Sequence, residues 1–125
     1  MSKTILIVDD SPTMIMSLRT TLEMHGFRVE SASDGSLALT KLQGGLRPDL
    51  VITDINMPNM GGLEFIRHAR ALPACRFVPI LTLTTESDQA KRDESRRLGA
   101  TGWLVKPLSG PDLLGVIRQV LPQAA

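Results

Sequence analysis

Five short runs with strand character recur along the chain: Thr4–Val8, Arg28–Ala32, Leu50–Thr53, Pro79–Leu83 and Gly102–Val105. Most are rich in Val, Ile and Leu without strict alternation, the pattern of strands covered on both faces. Between them, apolar positions fall at helical spacing. The predicted helices are Thr13–His25 (Met14, Leu18, Leu22 inward, Gly26 at the end) and Gly35–Leu42 (Leu37, Ala38, Leu42 inward). Gly62–Ala71 follows, on Leu63, Ile66 and Ala69; then comes the strongly charged Asp88–Leu98. Asp112–Leu121 uses Leu113, Val116, Ile117 and Val120, with Pro122 as its stop. Five strands alternating with five helices predict an α/β fold: a doubly wound, five-stranded parallel sheet in the order 2-1-3-4-5, helices on both faces.

Composition narrows the picture. The 125 residues suit one domain, expected to occupy 1–125, and 42% hydrophobic residues are enough for a real core. A net charge of +1 gives no pull toward nucleic acid or an acidic membrane. The single cysteine, Cys75, forms no internal disulfide and is read as an ordinary loop residue. No segment approaches the roughly 20 apolar residues that cross a bilayer. The run Ile5–Val8 ends at Asp9-Asp10, too soon for a signal-peptide core. The expectation is a cytoplasmic protein.

In such sheets ligands bind beyond the carboxyl ends of the strands. Strand one ends in Asp9-Asp10 and strand three in Asp54; strand four is followed by Thr84, Thr85 and Glu86, and strand five by Lys106-Pro107. Three carboxylates, a hydroxyl and an ammonium thus converge on one edge. Crowded carboxylates repel one another, and a hard divalent cation removes that repulsion. Oxygen-only ligands with open positions suit Mg²⁺ or Mn²⁺, and no Cys/His cluster favours zinc. Asp34 and Asp49 read as surface turn residues. His25 and His68 lack partners for chemistry, and Met14, Met16 and Met24 read as core and flank of the first helix.

The set Val8-Asp9-Asp10, Asp54 with Met57-Pro58, Thr84 and Lys106-Pro107 resembles the receiver family of two-component signalling across essentially the whole chain. Asn56-Met57-Pro58-Asn59-Met60 makes it most similar to the chemotaxis-type, CheY-like single-domain members. The resemblance implies a flavodoxin-like fold and a phosphorelay role, with Asp54 accepting a phosphoryl group from a histidine kinase. It implies that Asp10 and Asp54 bind Mg²⁺ directly, Asp9 mainly through water, and Asn56 by its backbone carbonyl. Lys106 would pair with the phosphoryl group as a point charge, after a cis Lys106–Pro107 bond. Thr84 would be the switch residue, drawing the loop after strand four inward and leaving a gap for Trp103. The output would be a phosphorylation-dependent protein target, with neither nucleic acid nor membrane as partner.

Two departures from the family pattern stand out. Trp103 occupies a position where many receivers have Tyr or Phe. Gly61 replaces an Asp that the family often carries, which should loosen the loop after Asp54 without touching the chemistry. The fourth helix, with Lys91, Arg92, Arg96 and Arg97 and few apolar residues, is expected to shift easily; its charges read either as a solvated face or as a surface for an acidic or mixed-charge partner. Two alternatives stay open: a phosphatase with an aspartyl-phosphate intermediate, and a phosphate sink with no direct output. The phosphatase reading is the weaker, because Asp54-Ile55-Asn56 puts an asparagine where an acid–base carboxylate would be needed. A degenerate receiver conflicts with the full set of chemical groups, and no Gly-x-Gly-x-x-Gly follows the first strand, against a dinucleotide enzyme.

Overall fold

Each strand-like run becomes a strand of one parallel sheet. The computed structural model describes residues 2–121, so Pro122, the expected stop of the last helix, lies outside them. The order along the chain is β1 (Thr4–Val8), α1 (Pro12–Met24), β2 (Arg28–Ala32), α2 (Gly35–Gln43), β3 (Leu50–Thr53) and α3 (Gly62–Arg70). A short 3₁₀ turn at Pro73–Cys75 leads into β4 (Ile80–Thr84), α4 (Gln89–Leu98), β5 (Gly102–Val105) and α5 (Gly110–Val120). The sheet order is β2-β1-β3-β4-β5, all pairs parallel, as expected for this flavodoxin-like fold.

The pleat sends alternate residues to two separate cores. Ile5, Ile7, Leu50, Ile52, Leu81 and Leu83 pack with Leu18 and Leu22 of α1 and Leu113, Leu114 and Ile117 of α5. Leu6, Val8, Val51 and Ile80 face the other way, onto Ala38, Leu39 and Leu42 of α2 and Phe65, Ile66 and Ala69 of α3. The central strands β1 and β3 are therefore buried almost throughout, which explains their unbroken apolar sequence.

Several local expectations are corrected. β4 starts at Ile80 and runs to Thr84, because Pro79 has no N–H for the ladder and contributes only its carbonyl, which accepts from Val51 N at 3.0 Å. α5 begins earlier than expected, where the Ser109 hydroxyl accepts from Asp112 N at 3.1 Å. Leu37 points outward at 49% exposure, since α2 turns Ala38, Leu39 and Leu42 to the sheet. Leu63 is only half-buried; Phe65, fully buried, anchors α3 instead. Met16 and Met24 are exposed flanks of α1, while Met14 packs against the core. Cys75, read as an ordinary loop residue, ends the short 3₁₀ turn and is buried in the core with α3, and burial pushes its thiol pKa up. No helix among the described residues is long and apolar enough to cross a membrane.

Candidate functional site

The fully buried strand tails carry the acidic residues to the edge. Asp9 N donates to Ala32 O at 3.1 Å and Asp54 N donates to Val8 O at 2.8 Å, so the ladder β2-β1-β3 continues to the first residue of each loop. The backbones of Asp9 and Asp54 are thereby fixed by the sheet. Asp9, Asp10 and Asp54 each offer an oxygen, and those oxygens lie within 4.8 Å of one another. Asp9 is buried, Asp54 half-buried and Asp10 exposed.

Two of the three carboxylates, those of Asp9 and Asp54, are oriented by neighbours. Asp9 Oδ1 accepts from Ser11 N at 2.9 Å, while the Ser11 hydroxyl accepts from Met14 N and caps α1. Asp54 Oδ1 accepts from Ile55 N at 2.6 Å. Lys106 bridges the remaining oxygens: its ammonium is 2.9 Å from Asp9 Oδ2 and 3.2 Å from Asp54 Oδ2. Burial pulls the Lys106 pKa down, but the bond to Asp9 and the charges of Asp54 and Asp9 outweigh it, and the pKa is raised. Lys106 N donates to Thr84 O at 2.8 Å, tying the lysine to the end of β4, and the Lys106–Pro107 bond is cis as the resemblance implied.

Thr84 is fully buried. Its hydroxyl accepts from Glu86 N at 3.1 Å, so it belongs to its own loop in this structure. Glu86 is the junction beyond it. Its carboxylate accepts from Lys91 Nζ at 3.0 Å, from Asn56 Nδ2 at 3.3 Å and from Asp88 N at 3.2 Å, with Lys91 foremost in holding its pKa below the usual Glu value. Asn56 is exposed, two residues beyond Asp54.

Trp103 lies on the α4 face of β5, but it pairs with Thr82 and not with Thr84, whose partner is Val105. The indole is therefore one pleat further from the acidic edge than the switch threonine. It is part-buried and lines a cleft of about 240 Å³ with Arg92, Ser95 and Arg96.

Two residues of this region escape a sequence reading. Asp34 is no surface turn residue: it is 4% exposed, caps α2 through Leu37 N at 2.9 Å and accepts from Asn59 Nδ2 at 2.9 Å. The Asn59 bond does most to hold its pKa below the ordinary Asp value. Arg70 clamps the far end of α4, donating to Gly99 O at 2.7 and 3.1 Å and to the carbonyls of Cys75 and Val78. Asp34 had a cap signal, an acid preceding a helix, but nothing in the sequence joined it to Asn59. Asp49 is no surface turn residue either: it is half-buried and its carboxylate accepts from Thr4 N at 2.7 Å, holding the start of β1 beside the start of β3.

Comparison with known proteins agrees with this geometry. A sequence profile described as the response regulator receiver domain matches residues 5–118. The chain is 42% identical to the chemotaxis protein CheY4 of Vibrio cholerae, over 96% of this chain and 99% of that one, with a TM-score of 0.91. Protein PilH of Pseudomonas aeruginosa is 35% identical, over 94% of this chain and 96% of its own length. The receiver domain of the sensor histidine kinase PA1611 of P. aeruginosa, described with a magnesium ion coordinated in its active-site cleft, is 27% identical, over 98% of this chain and 99% of that one, with a TM-score of 0.88. The chain spans about half the length (52% and 49%) of the transcriptional regulators PhoB of Rhizobium meliloti and PhoP of Bacillus subtilis, which it also matches. With the profile covering nearly all of the chain and an acidic Asp9/Asp10/Asp54 site at the sheet edge, the chain belongs to the response regulator receiver domain family of two-component signalling.

Proposed function

We propose that this receiver is a phosphorylation-switched binding module in which Asp54 accepts a phosphoryl group from a histidine kinase and changes the affinity of the α4–β5 face for a protein target. The observation that carries the reading is the cluster of three carboxylates within 4.8 Å, with Lys106 bridging two of them. Receiver domains take phosphoryl groups from histidine kinases and are signalling proteins rather than classical enzymes.

The donor set fits a hard divalent cation: all oxygen, three carboxylates, room for water, and a magnesium ion in the cleft of a related receiver. Asp10 and Asp54 would hold Mg²⁺ directly, with Asp9 through water and the Asn56 carbonyl beside them; Mn²⁺ would serve as well. Bound there, the cation would neutralise charge on the transferring phosphoryl group. The rest falls to the chain. A carboxylate oxygen of Asp54, already aimed by Ile55 N and Lys106, forms the new bond to phosphorus while the bond to the donor histidine nitrogen breaks. Lys106 then pairs with the phosphoryl oxygens. The Thr84 hydroxyl leaves its Glu86 N–H to donate to one of them, which releases the Glu86 junction and the first turn of α4.

Similarity to CheY4 supports a chemotaxis role, and the cleft residues Arg92 and Arg96 beside Trp103 suit an acidic or mixed-charge target. A single receiver over 1–125 in the cytoplasm fits this reading. Incubation with acetyl phosphate and Mg²⁺ should label the protein and change Trp103 fluorescence. Asp54→Asn should abolish both effects, and Thr84→Ala should keep the label but blunt the fluorescence change. Full labelling of Asp54→Asn would refute the assignment.

A further inference from the structure

We propose that Asp34 and Asn59 are a positioning pair: one side-chain hydrogen bond between them sets the course of the loop from Asp54 to Gly61, and so the oxygens this loop presents to a divalent cation. The inference rests on reading the acidic edge as a metal-dependent phosphoacceptor site.

The loop has no helix or strand of its own, so its path must come from cross-links. Its two ends are fixed to each other by contact. Gly62 N donates to Ile55 O at 2.8 Å, and a Cβ on Gly62 would lie 2.1 Å from Asp54 O, so only glycine admits this approach. Between them is Asn59, whose φ of +63° makes it the one left-handed non-glycine among the described residues. Asparagine tolerates that conformation better than most residues but does not choose it alone.

What holds Asn59 there is Asp34. Asn59 Nδ2 donates to Asp34 Oδ2 at 2.9 Å, and Gly35 N donates to Met60 O at 3.0 Å one residue further on. The amide covers a carboxylate that is only 4% exposed. A Cβ on Gly35 would lie 2.9 Å from Met60 Cγ and 3.0 Å from Met60 O, so the start of α2 and the β3–α3 loop meet without slack. Asp34 uses its two oxygens for two tasks: Oδ1 caps α2 through Leu37 N, and Oδ2 grips the phosphoacceptor loop through Asn59. Asn56 lies between that grip and Asp54. Outer partners of this kind fix ligand direction and commonly change metal affinity by an order of magnitude.

The two tasks are separable. Asn59→Gly keeps the left-handed backbone and the helix cap and removes only the amide. Asp34→Asn with Asn59→Asp keeps a good cap and an unchanged net charge, and re-forms the bond with donor and acceptor exchanged. Calorimetric titration with Mg²⁺ should show about tenfold weaker binding for Asn59→Gly. Its helical circular dichroism should match wild type, and amide exchange should be faster over Ile55–Met60 in metal-free protein. The exchanged pair should return to near wild-type affinity. Equal Mg²⁺ affinity in Asn59→Gly and wild type overturns the positioning role while leaving the phosphoacceptor reading intact. Absence in wild type of Mg²⁺ binding that Asp10→Ala abolishes overturns the reading of the site and this inference with it.

Discussion

The acidic edge above β1 and β3 and the face formed by α4 and β5 are neighbours, yet they are held in opposite ways. At the acidic edge Asp9 and Asp54 follow directly on strand ends that are buried, and both keep ladder hydrogen bonds after the strands end. In α4 only Ser95 is buried, and β5 exposes 46% of Val105. α4 itself is uneven. Its C-terminal end is clamped by Arg70 on Gly99 O, next to the left-handed cap at Gly99. Its first turn depends on the Asp88 cap and on Glu86, gripped by Lys91 and Asn56. A fixed chemical centre thus stands beside a lever anchored at the end remote from Glu86. In the proposed switch, that division would let a phosphoryl group move the face without disturbing the site, since weakly packed segments open at low cost.

Substitution of the packing should separate the two regions most strongly. Ile52→Ala, under the acidic edge, should cost about 2–5 kcal/mol because it leaves a cavity in a buried central strand. Arg92→Ala, on the cleft side of α4, should stay within about 0.5 kcal/mol, as exposed substitutions usually do. Urea denaturation of both variants checks the contrast, and equal losses would break it.

The clamp comes next. Arg70→Ala should cost about 2 kcal/mol by stranding carbonyls of Gly99, Cys75 and Val78. It should also raise amide exchange at the C-terminal end of α4 more than in the first turn. Uniform exchange along α4 would mean that the helix has no fixed end.

The smallest effect concerns pH at the Glu86 junction. Its carboxyl is held below the usual 4.5, first by Lys91 and then by Asn56 and Asp88 N. A depressed folded pKa gives a contribution that is complete above the unfolded value and lost as pH falls through the folded one. Nuclear magnetic resonance of the Asn56 side-chain amide should therefore report a transition below pH 4.5, absent in Glu86→Gln. A midpoint at or above the ordinary value would show the junction to be open in solution.

Much of this molecule follows from the sequence alone. Short unbroken apolar runs rich in Val, Ile and Leu fit strands covered on both faces, and their alternation with helical periods leads to the parallel sheet. Once strands are placed, the residues after them define the edge, and Asp9, Asp10, Asp54, Thr84 and Lys106 were legible for that reason. Which side of a helix faces the core was less legible, because one residue turns a helix by about 100°; Leu37 and Leu63 were misplaced by such a step, and Phe65 was missed. Long-range pairing away from the strand ends was not legible. Asp34 with Asn59, Arg70 with Gly99, and Trp103 beside Thr82 join residues whose spacing carries no period. A lone polar residue in a loop looks the same whether it faces water or a partner brought by the fold, and only the packing of the sheet against its helices decides which.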